Sequence, residues 1–137
     1  MFKTPYSVRF ADVDNAGIFY YPRFFHAFHV AFEQWWEQEF GRGYHLILNE
    51  DKVGFPAVHI DCDFKKPVVF GEPYEIHLGV KRIGKTSVTF RYEIRHRDTG
   101  ELHAATDTTK AVIDMTLFKA RRLPDDIRAA FEKLLID

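Results

Sequence analysis

Residues 22–40 read PRFFHAFHVAFEQWWEQEF, and the architecture follows from this stretch. Placed at about 100° per residue, Phe24, Phe25, Phe28, Ala31, Phe32, Trp35, Trp36 and Phe40 cover roughly half of a helix's circumference. Arg23, His26, His29, Glu33, Gln34, Glu37 and Gln38 occupy the other half. Pro22 suits the opening turn, because the amide proton it lacks would find no partner there. Gly41 and Gly43 end the helix. An apolar stripe this wide suits a helix cradled by a curved sheet better than one lying on a flat surface.

Outward from the helix the pattern is β. Residues 4–10 alternate, with Tyr6, Val8 and Phe10 on one side and Ser7 and Arg9 on the other. Downstream, Val58, Ile60, Cys62 and Phe64 alternate with His59, Asp61 and Asp63. Tyr74, Ile76, Leu78 and Val80 alternate with Glu75, His77 and Lys81, and Val88, Phe90, Tyr92 and Ile94 with Thr89, Arg91, Glu93 and Arg95. A last long strand is expected from about Leu102 to Phe118. Ile83-Gly84-Lys85 and Asp98-Thr99-Gly100 are short Gly-containing turns, so the last three strands form an antiparallel meander. Pro124 opens a short helix with Ile127, Phe131 and Leu134 on one face. Residues 1–137 thus read as one α+β domain with no linker or repeat. A long central helix is wrapped by a five-stranded antiparallel sheet, with a short C-terminal helix after it, which is the hot-dog arrangement.

Composition narrows the function classes. Nineteen Lys and Arg against twenty Asp and Glu leave a net charge of −1, so no global basic field exists to hold nucleic acid or an anionic membrane. The single cysteine, Cys62, excludes an intramolecular disulfide framework and fits a reducing, cytoplasmic compartment. Pro5 and the charges around it stand where a signal peptide needs an apolar run, and no stretch is long and apolar enough to span a membrane. Aromatic residues are 16% of the chain, more than a small monomer's core readily absorbs, which points to self-association as well as to a Phe-rich core.

The chemistry-bearing segment is Asp12-Val13-Asp14-Asn15-Ala16-Gly17. A calcium loop fails, because Ala16 stands at a ligand position and Arg23 where a bidentate Glu belongs. A plain turn needs nothing more than this composition. Its place between a strand and the start of the long helix sets a carboxylate beside backbone amides that have no intrahelical partner. Those amides and the helix dipole can polarise a carbonyl. A carboxylate facing such a carbonyl suffices to hydrolyse an activated acyl group. Two other chemistries are weaker. His59, Asp61 and Asp63 with His26 or His29 would make a metal site, but no close pair of histidines supports the ligand set, and a polar strand edge explains them. A hydratase pattern would place His five residues after its Asp, where Phe19 and Gly17 stand instead.

The run Arg9-Phe10-x-Asp12-x-Asp14-x-x-Gly17-Ile18-Phe19-Tyr20-Tyr21-Pro22-x-Phe24 closely resembles the signature of the 4-hydroxybenzoyl-CoA thioesterase family of hot-dog proteins. That family includes 1,4-dihydroxy-2-naphthoyl-CoA hydrolases and short acyl-CoA thioesterases. The resemblance continues through Phe55-Pro56-Ala57-Val58-His59, Phe64-x-x-Pro67 and Gly71 to Gly84-Lys85-Thr86-Ser87-Val88. It implies hydrolysis of an aromatic or short to medium acyl-CoA, with Asp14 as nucleophile or general base and the Tyr21 amide polarising the carbonyl. Asp12 supports the loop. Substrate contacts are implied at Gly17, Phe19, His29, His59, Lys85 and Ser87, with Lys85 on the CoA phosphates. Some members carry a further arginine in that turn, where this chain has Gly84. Others read a phenol with an acidic residue two helical turns in, where this chain has His29. A thiolate leaves readily, so no metal and no cofactor is implied. Family members are homodimers, usually doubled to tetramers. A non-catalytic module binding acyl-CoA or an acyl carrier shares every one of these fold features.

Overall fold

The computed structural model describes residues 1–137. The chain runs β1 (Phe2–Ser7), a 3-10 turn (Phe10–Asp12), α1 (Arg23–Phe40), α2 (Tyr44–Asn49), β2 (Val53–Gly54), β3 (Ala57–Phe64) and β4 (Pro73–Ile83). It continues through β5 (Ser87–His96), β6 (Leu102–Ala111), β7 (Ile113–Asp114), β8 (Lys119–Ala120) and α3 (Asp125–Glu132). The main sheet is antiparallel throughout, in the order β1-β4-β5-β6-β3. The expected five strands around one long helix are present. A second small sheet, β2-β7-β8, and the single turn-and-a-half of α2 were not foreseen.

Helix α1 begins after Pro22 and ends at Gly41, whose left-handed φ of 67° an L side chain would strain. Phe24, Ala27, Phe28, Ala31, Phe32, Trp35 and Trp36 are buried along it. Phe25 and Phe40, expected on the same stripe, lie at its margins and are half-buried. The stripe packs on Tyr74, Ile76, Leu78 and Val80 of β4 and Val88, Phe90, Tyr92 and Ile94 of β5, all buried as their alternation predicts. At the centre, the Phe32 ring lies 5.3 Å from Phe90, 5.2 Å from Tyr44 and 5.9 Å from Trp36, centroid to centroid. Each fully buried ring of this kind contributes about 1.5–3 kcal/mol. Helix α3 closes the far end, with Phe131 against Trp35 and Phe90.

The sheet is not uniform beneath the helix. In β6 the core-facing positions, paired with Ile94, Tyr92, Phe90 and Val88, are Ala104, Thr106, Thr108 and Lys110. Next to it β3 is an edge strand, and its apolar residues are not covered. Ile60 is 43% exposed and Phe64 50%. The expected alternation in β3 is real, but this chain supplies nothing to bury it. Two boundaries also differ from expectation. β1 stops at Ser7, and the 3-10 turn that follows swings Phe10 into solvent (83% exposed). The last strand breaks after Ala111, and the chain folds back through β7 and β8.

The end of β1 and the start of α1 are joined through one buried carboxylate. Asp12, 2% exposed, accepts hydrogen bonds from the Tyr6 hydroxyl (2.8 Å) and the Arg9 amide (2.9 Å) on Oδ2. On Oδ1 it accepts from Arg23 Nε (3.1 Å) and Nη2 (3.0 Å). Burial pushes the Asp12 pKa up, but the Arg9 amide, the Tyr6 hydroxyl and Arg23 outweigh it and hold the carboxyl below its ordinary value. Replacing it, as in Asp12→Ala, removes the shared acceptor of these part-buried donors and is expected to cost about 1–3 kcal/mol in urea denaturation. In the native protein that contribution is full above about pH 4, where the unfolded carboxyl ionises, and fades as pH falls further. An unchanged midpoint for the variant would show that the joint bears no stability.

Candidate active site

Asp14 sits in a tight hairpin between the 3-10 turn and α1. Its backbone N–H donates to Ile18 O (2.9 Å), the Gly17 N–H returns to Asp14 O (3.0 Å), and Val13 bridges Phe19 antiparallel. Gly17 takes φ of 75° at the turn, and a Cβ there would meet no atom within 4 Å, so backbone conformation rather than space demands glycine. The Asp14 side chain curls over its own loop. Oδ1 accepts from the amides of Ala16 (2.9 Å) and Ile18 (3.3 Å), while Oδ2 has no partner in the chain. The carboxylate is thereby oriented through one oxygen and exposed through the other.

At the helix tip the amides are sorted. The Tyr20 N–H donates to Asp12 O (2.7 Å), and the carbonyls of Tyr20 and Tyr21 accept from Arg23 and Phe24. The Tyr21 N–H has no partner in the chain. Asp14 and Tyr21 open onto neighbouring but separate cavities of this single chain. Asp14 and Gly17 line a wide one with Phe10, Val13 and Phe70. Tyr21 and Phe19 line one of about 310 Å³ with Phe24, Phe64 and the lysines Lys65 and Lys66 at its rim. Phe19, only 4% exposed, is mainly a core residue, 4.5 Å from Phe24 between ring centres.

The remaining expected site residues are spread along the molecule. His59 lies exposed on the edge strand, its Nε2 3.0 Å from Asp61 Oδ2. No group of three or more His, Cys, Asp or Glu side chains comes together around it or elsewhere. Lys85 and Ser87 stand at the β4–β5 turn. The other end of β4, at Pro73, pairs with Ser7 of β1 close to the Asp14 loop. The eleven residues of β4 span about 35 Å, so one chain does not bring Lys85 or Ser87 to Asp14.

His29 is placed where sequence reasoning put it, one to two turns into α1, but with an unforeseen neighbour. Lys110, core-facing in β6 and 4% exposed, brings Nζ to 3.4 Å from His29 Nδ1 and 3.9 Å from the centre of the Phe32 ring. Both residues line a cavity of about 320 Å³ with Phe25, Phe28, Phe55 and Tyr92. Burial, then the Lys110 charge and His26, pull the His29 pKa down to about 4, so the imidazole is neutral near pH 7. Burial likewise pulls Lys110 down to about 8, and Glu33 only partly opposes it.

The sequence pattern of the Thioesterase-like superfamily matches residues 8–131. The chain belongs to that superfamily. It is 31% identical over 122 residues to the 1,4-dihydroxy-2-naphthoyl-CoA hydrolase of Nostoc punctiforme, covering 88% of this chain and 80% of the relative. Against the enzyme of the same name from Gloeothece citriformis it is 30% identical over 120 residues, with 87% and 83% covered. The crystal structure of a 1,4-dihydroxy-2-naphthoyl-CoA thioesterase from Synechocystis matches with a TM-score of 0.86 at 26% identity, over 97% of this chain and 96% of that one. The hot-dog thioesterase expectation therefore holds, and so does its enzyme class, a hydrolase of thioester bonds. The relatives bear the naphthoyl name, and none of these three bears the 4-hydroxybenzoyl name.

In this thioesterase-like chain Lys110 is the residue that pattern reading missed. Its depressed pKa makes stability depend on alkali. Between about pH 8 and its ordinary value of 10.5 the unfolded lysine binds a proton that the folded one does not. Stability therefore rises with pH through that window, by about 1–3 kcal/mol. The rise is expected to shrink in Lys110→Met when both proteins are unfolded in urea at pH 8 and pH 10. Parallel pH dependences for the two would contradict the buried charge.

Proposed function

We propose that this protein hydrolyses aromatic acyl-CoA thioesters of the dihydroxynaphthoyl kind for which its relatives are named, with Asp14 and the Tyr21 amide as the catalytic pair. One observation carries the reading: on the segment leading into α1 the Tyr21 N–H and one oxygen of Asp14 are both left without a partner, and they open onto neighbouring cavities across which a single thioester would lie. The thioester oxygen accepts from that amide, whose effect adds to the positive end of the helix dipole. Asp14 Oδ2 then acts in one of two ways. As nucleophile it forms a mixed anhydride with the acyl carbon and expels CoA thiolate, and water cleaves the anhydride to the free acid. As general base it takes a proton from water as that water attacks the same carbon. Either route ends in acid and CoA thiol, and neither draws on a cofactor or metal.

The working unit in this reading is a cytoplasmic homodimer, doubled to a tetramer. β3 pairs with β6 on one side only, so its outer row of amides and carbonyls is open to a second copy. Val58, Ile60 and Phe64 would be covered by such pairing. A second copy also gives Lys85 and Ser87 their only route to the CoA of a neighbouring site. Lys65 and Lys66, at the rim of the Tyr21 cavity, are nearer cations for its phosphates, although Lys66 is already paired with Glu101.

Asp14→Asn keeps the side chain's shape and Oδ1 hydrogen bonds but removes the nucleophile or base. It is expected to lower kcat at least about 10²-fold on 1,4-dihydroxy-2-naphthoyl-CoA, followed by thiol release. Full turnover by the variant would place the chemistry elsewhere. A wild-type protein that binds acyl-CoA but cleaves none of a panel of aromatic and aliphatic thioesters would favour the non-catalytic module. Analytical ultracentrifugation is expected to give a dimer or tetramer at micromolar concentration. A monomer that retains full activity would remove Lys85 and Ser87 from the site.

A further inference from the structure

The chemistry at the helix tip makes no use of the charge buried further along the helix. Lys110 stands in the wall of a mainly apolar cavity, with the rings of Phe25, Phe28, Phe55 and Tyr92 around it, Ile60 on the edge-strand side and Thr108 beside it on the same strand face. Its ammonium has no carboxylate partner. It rests on the Phe32 ring and points one proton at His29 Nδ1. The acid that acts on it electrostatically, Glu33, has a half-exposed side chain and approaches the other side of His29, 4.0 Å from Nε2. A cation withdrawn from water without a counter-ion is costly, and the face of a ring repays only part of that cost. An anionic oxygen entering this cavity would restore the missing partner through a charge-assisted hydrogen bond. The aromatic walls suit a flat group carrying that oxygen.

We infer that this cavity receives the far end of the acyl group and that Lys110, backed by His29, selects acyl groups bearing an acidic oxygen there, as phenolate or carboxylate. The assignment rests on the thioesterase reading and extends it to the chemistry of the substrate. The His29 imidazole brings no negative charge to repel an anion, and its Nδ1 accepts a hydrogen bond from the lysine when the cavity is empty of one.

Three matched thioesters test it: benzoyl-CoA, 4-hydroxybenzoyl-CoA and 4-carboxybenzoyl-CoA, compared by kcat/KM in wild type and Lys110→Met. Methionine keeps the length and fills the space without the charge, and Lys110→Gln repeats the test if the first variant does not fold. Wild type is expected to favour an acidic thioester over benzoyl-CoA, and the variant to lose at least about tenfold of that ratio. Which ratio collapses tells phenolate from carboxylate. Ratios unchanged by the substitution, or no preference in wild type, would overturn the inference. A second readout needs no turnover. Adding wild-type protein to 4-nitrophenol near its own ionisation midpoint is expected to raise the yellow phenolate band, and adding Lys110→Met is not. If no thioester is cleaved but the band rises in wild type alone, the enzymatic reading falls and the anion site stands. Cleavage with neither discrimination nor a band change leaves the enzyme and removes the site.

Discussion

Everything at the helix tip depends on the carboxylate of Asp12 and the four donors that converge on it. Tyr6 belongs to the first strand, Arg9 to the turn after it, and Arg23 to the first residue of the long helix. Within the loop between them Phe19 is buried against Tyr6 and Phe24, while Ile18, Tyr20 and Tyr21 lie exposed. The loop is fixed by that one aromatic anchor together with the bonds of Asp12. Asp12 holds it at both ends of its span, and its carbonyl takes up the Tyr20 amide, while the next amide, that of Tyr21, has no partner. The two aspartates of the motif divide the labour. One is buried and saturated with donors, while the other is exposed and half satisfied.

A second constraint comes from the strand beside the edge. β4 and β5 present large apolar side chains to α1, whereas β6 presents two threonines and a lysine. The helix packs on the former, and toward β3 the space between helix and sheet remains open. Both the Tyr21 cavity and the His29–Lys110 cavity lie on that side, reaching Phe64 and Ile60 of β3 respectively. Of the aromatic residues, Phe32, Trp35 and Trp36 knit the core, whereas Phe64 stays half exposed on the edge strand, as does Ile60 two pleats away.

The features legible in the sequence were those governed by local rules. Pro22 and Gly41 bound α1 through the unpaired amides and left-handed backbone of helix ends, and β5 alternates with the same period as its burial, whereas in β4 the outward-phase His77 and Gly79 are buried too. β3 alternates equally well, but period two says only which residues share a face, not whether that face is covered. Phe10 continues the β1 pattern by residue type, yet β1 ends at Ser7 and Phe10 opens the 3-10 turn that the bonds of Asp12 hold. The Asp12–Asp14 motif was readable as a whole. That its carboxylate and the Tyr21 amide open onto different cavities was not, since that depends on how Phe19 and Val68 pack between strands and helix. Lys110 was out of reach for a similar reason. It meets His29 across 81 positions of sequence, and only the β5–β6 register turns it inward.

Helix α1 has one more consequence. It is a stiff rod whose first residue is clamped to Asp12 and whose seventh, His29, touches Lys110. Six residues of α-helix rise about 9 Å, and that interval does not stretch. Tyr21, whose amide would hold a thioester carbonyl, lies two residues before that rod, so the helix sets most of the separation between this amide and the Lys110 charge. A molecule spanning both must match the gauge in length as well as in sign.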